Sequence, residues 1–231
     1  MYNGFLEKIK YIYKEVMFPK KCMLCGKYID YHNKYFICRE CFTKHISHTP
    51  NLYQRHTYGI GSIDSVYYAM KYTGKPRKSL HKFKFDGKSF YGETFGRILY
   101  EACRGEDFMS DITIVTCVPS SKKHLRNRGY NQADIIAQAF CKYADLNYAN
   151  DILIKVKDIP PMNKLTKGQR FKLIKNAFDY NDKHILFDAH VLLIDDVYTT
   201  GATTGECARV LKRKGVEKVT VLTLFSNDYG M

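Results

Sequence analysis

The chain has 231 residues, 45% of them hydrophobic and 14% aromatic, which excludes intrinsic disorder and allows one sizeable α/β core plus a small accessory module. No apolar run approaches the roughly 18 residues of a membrane-spanning helix, and the first residues lack the apolar core and small-residue cleavage site of a secretory signal, so a cytoplasmic protein is expected. The formal charge is +14, with 37 Lys and Arg against 23 Asp and Glu, a balance that favours polyanionic partners: nucleic acid, an anionic membrane surface or phosphorylated ligands.

At the start of the chain, FLEKIKYIYKEVMF sets Phe5, Ile9, Ile12 and Val16 on one side at helical spacing. Such a stripe either packs against the rest of the protein or lies on a membrane, with Lys8, Lys10 and Lys14 at its polar edge. The membrane alternative would place the protein near the inner face of the bilayer.

CMLCGKYIDYHNKYFICREC follows, and its Cys22, Cys25, Cys38 and Cys41 form two C-x-x-C pairs. Each pair turns two sulfurs towards one point, and two pairs complete a tetrahedral Zn2+ site. Four thiolates leave no open position, so the metal is expected to be structural and to supply much of the folding energy of so short a module. His32, His45, His48 and His56 are then surface residues, not ligands. Lys20, Lys21, Lys27, Lys34, Arg39 and Lys44 interleave with Tyr28, Tyr31, Tyr35 and Phe36. This pattern suits a nucleic-acid platform, or equally a solvated ribbon whose aromatics support its fold. The remaining thiols, Cys103, Cys117, Cys141 and Cys207, sit in apolar surroundings and are expected in the core.

Residues 1–44 thus read as an N-terminal helix and zinc ribbon, the polar stretch 45–58 as a linker, and 59–231 as the main domain. In that domain SVYYAM is a predicted strand, and KPRKSLHKFKF a basic helix with Leu80 and Phe83 turned inward. Asp86-Gly87 is a predicted turn, and Phe90, Phe95, Ile98 and Leu99 keep helical register. DITIVTCVP is a strand stopped by Pro119, SSKKHLRNRGYNQ a basic loop, and ADIIAQAFCKYA an amphipathic helix. Residues 152–156 read as a strand, and the segment up to Phe178 as a loop turning into a short helix. ILF and VLLI are strands, TGECARVLKRKG a helix, and VEKVTVLTLF a strand. Buried apolar strands alternating with helices predict an α/β fold with a mostly parallel sheet and flanking helices.

VLLIDDVYTTGATTGE carries the chemistry. Asp195 and Asp196 fall at the carboxyl edge of a strand, where such sheets bind ligands. On a strand, neighbouring side chains point to opposite faces. A carboxylate pair there accepts hydrogen bonds from sugar hydroxyls or faces hydrated Mg2+. Thr199, Thr200, Gly201, Ala202 and Thr203 offer backbone N–H groups and hydroxyls just before a helix, which suits an anion. The alternative is an ordinary helix cap. Sugar and anion recognition side by side describe a ribose-5-phosphate site. The loop lacks the P-loop and the dinucleotide-binding fingerprints.

LLIDDVYTTGAT resembles the phosphoribosyl pyrophosphate motif of type I phosphoribosyltransferases, and the chain as a whole resembles the ComF family linked to DNA uptake. Val118, Pro119, Arg126, Arg128, Gly129, Tyr130, Asn131, Gln132 and Ala133 are similar to one family segment, with Tyr130 in place of its Phe. Lys84, Phe85 and Gly87 are similar to another, and the Cys22–Cys41 ribbon to a third. Leu165, Arg170 and Phe178 fit a fourth, where Met162 and Leu173 replace the usual Gln and Asn.

The resemblance implies a type I phosphoribosyltransferase-like domain after a small four-cysteine zinc ribbon. It implies that Asp195 and Asp196 bind ribose hydroxyls, that Thr199–Thr203 cradle the 5-phosphate, and that the loop from Pro119 to Lys123, with Ser120 and Ser121, occupies the pyrophosphate position. Lys122, Lys123, Arg126 and Arg128 are then available to stabilise departing pyrophosphate, so with Asp195 and Asp196 they are the candidate catalytic residues. The expected cofactors are structural Zn2+ and Mg2+ with phosphoribosyl pyrophosphate. The expected macromolecular partners are single-stranded DNA and a DNA-uptake helicase or DNA-processing protein. Three functions compete: a competence protein handling incoming single strands, a phosphoribosyltransferase for a nitrogenous acceptor, and a scaffold that senses phosphoribosyl pyrophosphate.

Overall fold

The computed structural model describes residues 13, 16–46, 52–55, 60–160 and 165–227. Most of the N-terminal stripe lies outside them; Tyr13, Val16 and Met17 are helical and exposed.

Helix α1 (Arg39–Ile46) closes the cysteine module. Strand β1 (Tyr53–Arg55) then pairs antiparallel with β2 (Ser65–Lys71), so the stretch expected as a linker contributes the edge of the main sheet. Helices α2 (Gly74–Phe85) and α3 (Tyr91–Cys103) lead to β3 (Ile114–Cys117). Next come α4 (Lys122–Arg128), α5 (Gln132–Ala144) and β4 (Leu153–Lys155). Then follow α6 (Lys167–Ile174), β5 (Phe178–Tyr180), β6 (His190–Tyr198), α7 (Ala202–Arg213) and β7 (Lys218–Ser226). The sheet order is β1-β2-β7-β6-β3, parallel from β2 to β3; β4 and β5 form a separate antiparallel pair.

β6 shows why its sequence is a continuous apolar run. Leu192 and Ile194 enter one core with Leu80, Phe83, Phe95, Ile136 and Phe140, from α2, α3 and α5. Val191 and Leu193 enter the other with Cys207, Ala208 and Leu211 of α7. Both faces are covered, so both parities of the strand must be apolar. Cys103, Cys117, Cys141 and Cys207 are buried thiols.

The cysteine module does not stand apart. Met23, Leu24 and Ile37 are buried in the same core as α3 and α5. The Phe36 N–H donates to Thr94 Oγ1 (3.0 Å), the Tyr35 and Tyr143 hydroxyls bond at 2.9 Å, and Lys34 pairs with Glu93 at 3.1 Å.

Two expectations fail. The basic loop SSKKHLRNRGYNQ contains α4, capped by Ser121, whose hydroxyl accepts the His124 N–H (3.2 Å). None of its residues is buried, so no apolar stripe announces it. ILF is not a strand: Ile185 and Phe187 are exposed, and the strand is β5, seven residues earlier.

Candidate functional site

The Sγ atoms of Cys22, Cys25, Cys38 and Cys41 lie within 4.8 Å of one another, with Cys25 and Cys38 3.7 Å apart. Tetrahedral zinc with bonds of about 2.3 Å separates its sulfurs by about 3.8 Å, so the ion fits this cluster. Gly26, at φ +78°, makes the first turn, and its N–H donates to the Cys22 carbonyl (2.9 Å). Burial raises the Cys22 thiol, but backbone N–H groups of Cys25, Cys38 and Leu24 outweigh it and bring the pKa down to about 7. Burial, reinforced by the neighbouring sulfurs, drives Cys41 far up. Four sulfurs this close would repel one another as thiolates, and a bound cation would relieve that repulsion.

The ribbon's aromatics support the fold. Phe36 packs on Phe90 and Tyr91, with Lys20 over its ring at 4.3 Å. Tyr35 packs against Tyr143 and Arg97, Lys27 pairs with Glu40 (2.6 Å), and His32 is exposed. Tyr28 remains an exposed ring, with Lys21 above it.

The second site lies at the carboxyl end of the sheet, in a cavity of about 900 Å³. β6 continues through Tyr198, so its two aspartates point to opposite faces. Both line the cavity. Asp196, on the α2 side, pairs with Lys84 Nζ at 2.7 Å. Asp195 faces α7 and β4. Burial first, and the Asp196 charge second, push its carboxyl up to about 7, against the pull of Lys84 and Lys155. Burial lowers Lys155 in turn.

Past the strand, Gly201 takes φ +76° and begins α7 with no side-chain cap. The ordinary cap expected as the alternative is therefore absent. Thr200 Oγ1 reaches only the Ala202 N–H, at 3.4 Å, so the first turn of α7 keeps donors to offer. The small residues here also serve packing: a Cβ on Gly201 would come within 2.3 Å of the Tyr198 hydroxyl and 2.4 Å of Ile60. Thr199 and Thr203 line the cavity, whereas Gly201 and Ala202 line a recess of about 20 Å³ beside it.

Ser120 lines the cavity, and its hydroxyl donates to Asn131 Oδ1 (3.0 Å); Asn131 Nδ2 donates to the Val118 carbonyl (3.0 Å), tying this loop to the start of α5. Ser121 is buried and caps α4. Of the four basic candidates only Arg128 lines the cavity; Lys122, Lys123 and Arg126 are exposed on α4.

Several lining residues escaped sequence reasoning as ligand contacts: Lys84, Lys155 and Gln132. Gln132 is 3% exposed, and its Nε2 has no hydrogen-bond partner among the described residues. Arg170 of α6 also reaches the loop, with Nη1 donating to Thr199 Oγ1 at 3.4 Å. The only advance signal for Lys84, Gln132 and Arg170 was the family resemblance; Lys155 had none.

The fold is thus a mixed α/β sheet with an acidic pair and an uncapped helix start at its carboxyl edge, joined to a four-cysteine module. The chain is 32% identical over 146 residues, 62% of its length, to "Competence protein F" of Haemophilus influenzae, and covers 64% of that protein. It is 27% identical over 149 residues to "DNA utilization protein YhgH" of Escherichia coli K12, with 63% and 64% covered. To "Competence protein ComFC" of Bacillus subtilis it is 26% identical over 203 residues, with 84% and 72% covered. The chain is thus similar in sequence to competence and DNA-utilization proteins. It spans just under two thirds of the length of the first of these relatives. Among solved structures, a hypoxanthine-guanine-xanthine phosphoribosyltransferase aligns at TM-score 0.36 and 19% identity, covering 61% of this chain and 65% of that one. No protein-family model matches the chain.

Proposed function

We propose that the chain is a competence protein that handles incoming single-stranded DNA in the cytoplasm, beside the inner face of the membrane, and binds phosphoribosyl pyrophosphate or a related ribose phosphate with Mg2+. The observation that carries this reading is the meeting, around one cavity, of Asp195 and Asp196 with Thr199 and Thr203 beside the uncapped start of α7. The carboxylates accept ribose hydroxyls and attract hydrated Mg2+. Thr199, Thr203 and the free N–H groups of α7 take the 5-phosphate. Arg128, Lys84 and the unpartnered Gln132 amide take the pyrophosphate end. Mg2+ would add charge neutralisation there. The DNA role is supported by the relatives' names and by the +14 charge. A DNA-uptake helicase or DNA-processing protein is the partner class that role implies.

The test compares protection from thermal unfolding by phosphoribosyl pyrophosphate, ribose 5-phosphate and pyrophosphate, each with Mg2+. The whole ligand should protect more than either fragment. Equal protection by pyrophosphate alone would reduce the site to a general anion pocket.

Transfer of the ribose phosphate to a nitrogenous acceptor is the second reading. It is favoured by the cavity's volume, near the upper end of ligand pockets. Acceptor-dependent pyrophosphate release would select it.

A further inference from the structure

The ribbon's cations and rings are largely engaged, as described above, but a different surface is strongly basic and unpaired. None of the 12 residues of α2 is acidic, and Lys75, Lys78 and Lys82 follow one another at i, i+3 and i+7. Residues so spaced share one helix face, and Phe85 is the next on that stripe, about 15 Å from its start. All four are exposed, Phe85 by 64%. The three lysines make no ion pair, hydrogen bond or ring contact among the described residues.

Phe85 also lines the cavity mouth. Its ring lies beside His81 (4.8 Å between centroids), with the Arg128 guanidinium 5.3 Å from its centre. On the other side of the mouth, α4 carries Lys122, Lys123 and Arg126, exposed and unpaired among the described residues, and again no acid. His124, Asn127 and Arg128 of the same helix line the cavity.

We infer that single-stranded nucleic acid lies along the Lys75–Lys78–Lys82 stripe of α2 and the outer residues of α4, crossing the cavity mouth with a base stacked on Phe85. This rests on the DNA-handling reading above and places it on these helices, not on the ribbon. Cations spaced along a helix follow a phosphate chain without reading sequence, and an exposed ring flanked by a guanidinium accepts any base by its π face. A bilayer needs a broad apolar face among its cations; here one ring stands at a concave mouth. The strand would thereby lie over the ribose-phosphate site.

The experiment measures binding of fluorescent oligothymidylate to the full-length, zinc-loaded protein across a salt series. Lys78→Glu/Lys82→Glu and Lys122→Glu/Lys123→Glu should each weaken binding by about tenfold or more and flatten the salt dependence, since each lost phosphate contact removes about 0.7 from the log–log slope. Phe85→Ala should weaken it by roughly fivefold or more, and Phe85→Trp should restore it. Arg39→Glu/Lys44→Glu, an equal charge change on the ribbon, should cost far less. A larger loss in the ribbon variant, with the helix variants unaffected, would overturn the placement and leave DNA handling standing. No binding by the unmodified protein at low salt would overturn both. Retention of the same face by phosphatidylcholine–phosphatidylglycerol vesicles without oligothymidylate binding would assign it to lipid and overturn the inference. Phosphoribosyl pyrophosphate binding by Lys78→Glu/Lys82→Glu, read by calorimetry, should be unchanged.

Discussion

Lys84 and Asp196 meet at 2.7 Å across the cavity, joining the last turn of α2 to the end of β6. Both side chains are mostly shielded from water, at 24% and 13% exposure. Removing one partner leaves the other charge half-buried and alone, which costs roughly 3 kcal/mol where burial is complete and less at this depth. Lys84→Met is therefore expected to lower stability in urea by about 1–3 kcal/mol. Adding Asp196→Asn to it should recover part of the loss. Additive losses would mean that the two residues do not interact.

Asp195 gives stability a definite pH dependence. Its folded pKa, about 7, lies above the unfolded value, so the folded state holds the proton more tightly. The penalty is absent below about pH 4, grows as pH rises towards 7 and is complete above it. Asp195→Asn should therefore stabilise the protein above neutrality and make no difference near pH 4. A variant less stable than the parent at pH 8 would contradict this account of Asp195.

Because Met23, Leu24 and Ile37 share the core of α3 and α5, metal loss should not melt the ribbon alone. About one zinc per chain is expected, lost in Cys38→Ser. Structural zinc contributes on the order of 10 kcal/mol, comparable with the whole stability of a domain. Near- and far-ultraviolet signals should then fall together on chelation. A ribbon that unfolds while the sheet's transition stays put would show two independent units.

Gly96 sits where α3 crosses α5: a Cβ there would lie 2.7 Å from the Phe140 nitrogen and 2.8 Å from the Ile136 carbonyl oxygen. Both are backbone atoms and cannot swing away. Gly96→Ala should cost about 1–3 kcal/mol by overpacking, despite alanine's better helix propensity. Since Gln132 and Ala133 at the start of α5 line the cavity, ligand affinity should fall as well. Chemical denaturation and ligand titration read the two effects separately.

What could be read in advance followed from local physics. VLLI is apolar on both faces because helices cover both, ADIIAQAF carries a helical stripe, and the two C-x-x-C pairs bring four sulfurs together. α4 was hidden because none of its residues is buried, and β1 and β5 because such short strands lie in stretches that read as a linker and as the end of a helix. Ile185 and Phe187 misled by being apolar yet exposed. At the site, Asp195, Asp196, Thr199 and Thr203 are close in sequence and line one cavity. Lys84, Lys155 and Gln132 arrive from separate elements, and only the folded sheet brings them together.

The most direct test of the ribose-phosphate site is calorimetric titration of phosphoribosyl pyrophosphate, with and without Mg2+, into the zinc-loaded protein and into Asp195→Asn/Asp196→Asn. The account predicts Mg2+-dependent binding to the first and none to the second. No heat with the folded parent protein, or equal affinity in the double variant, would contradict it.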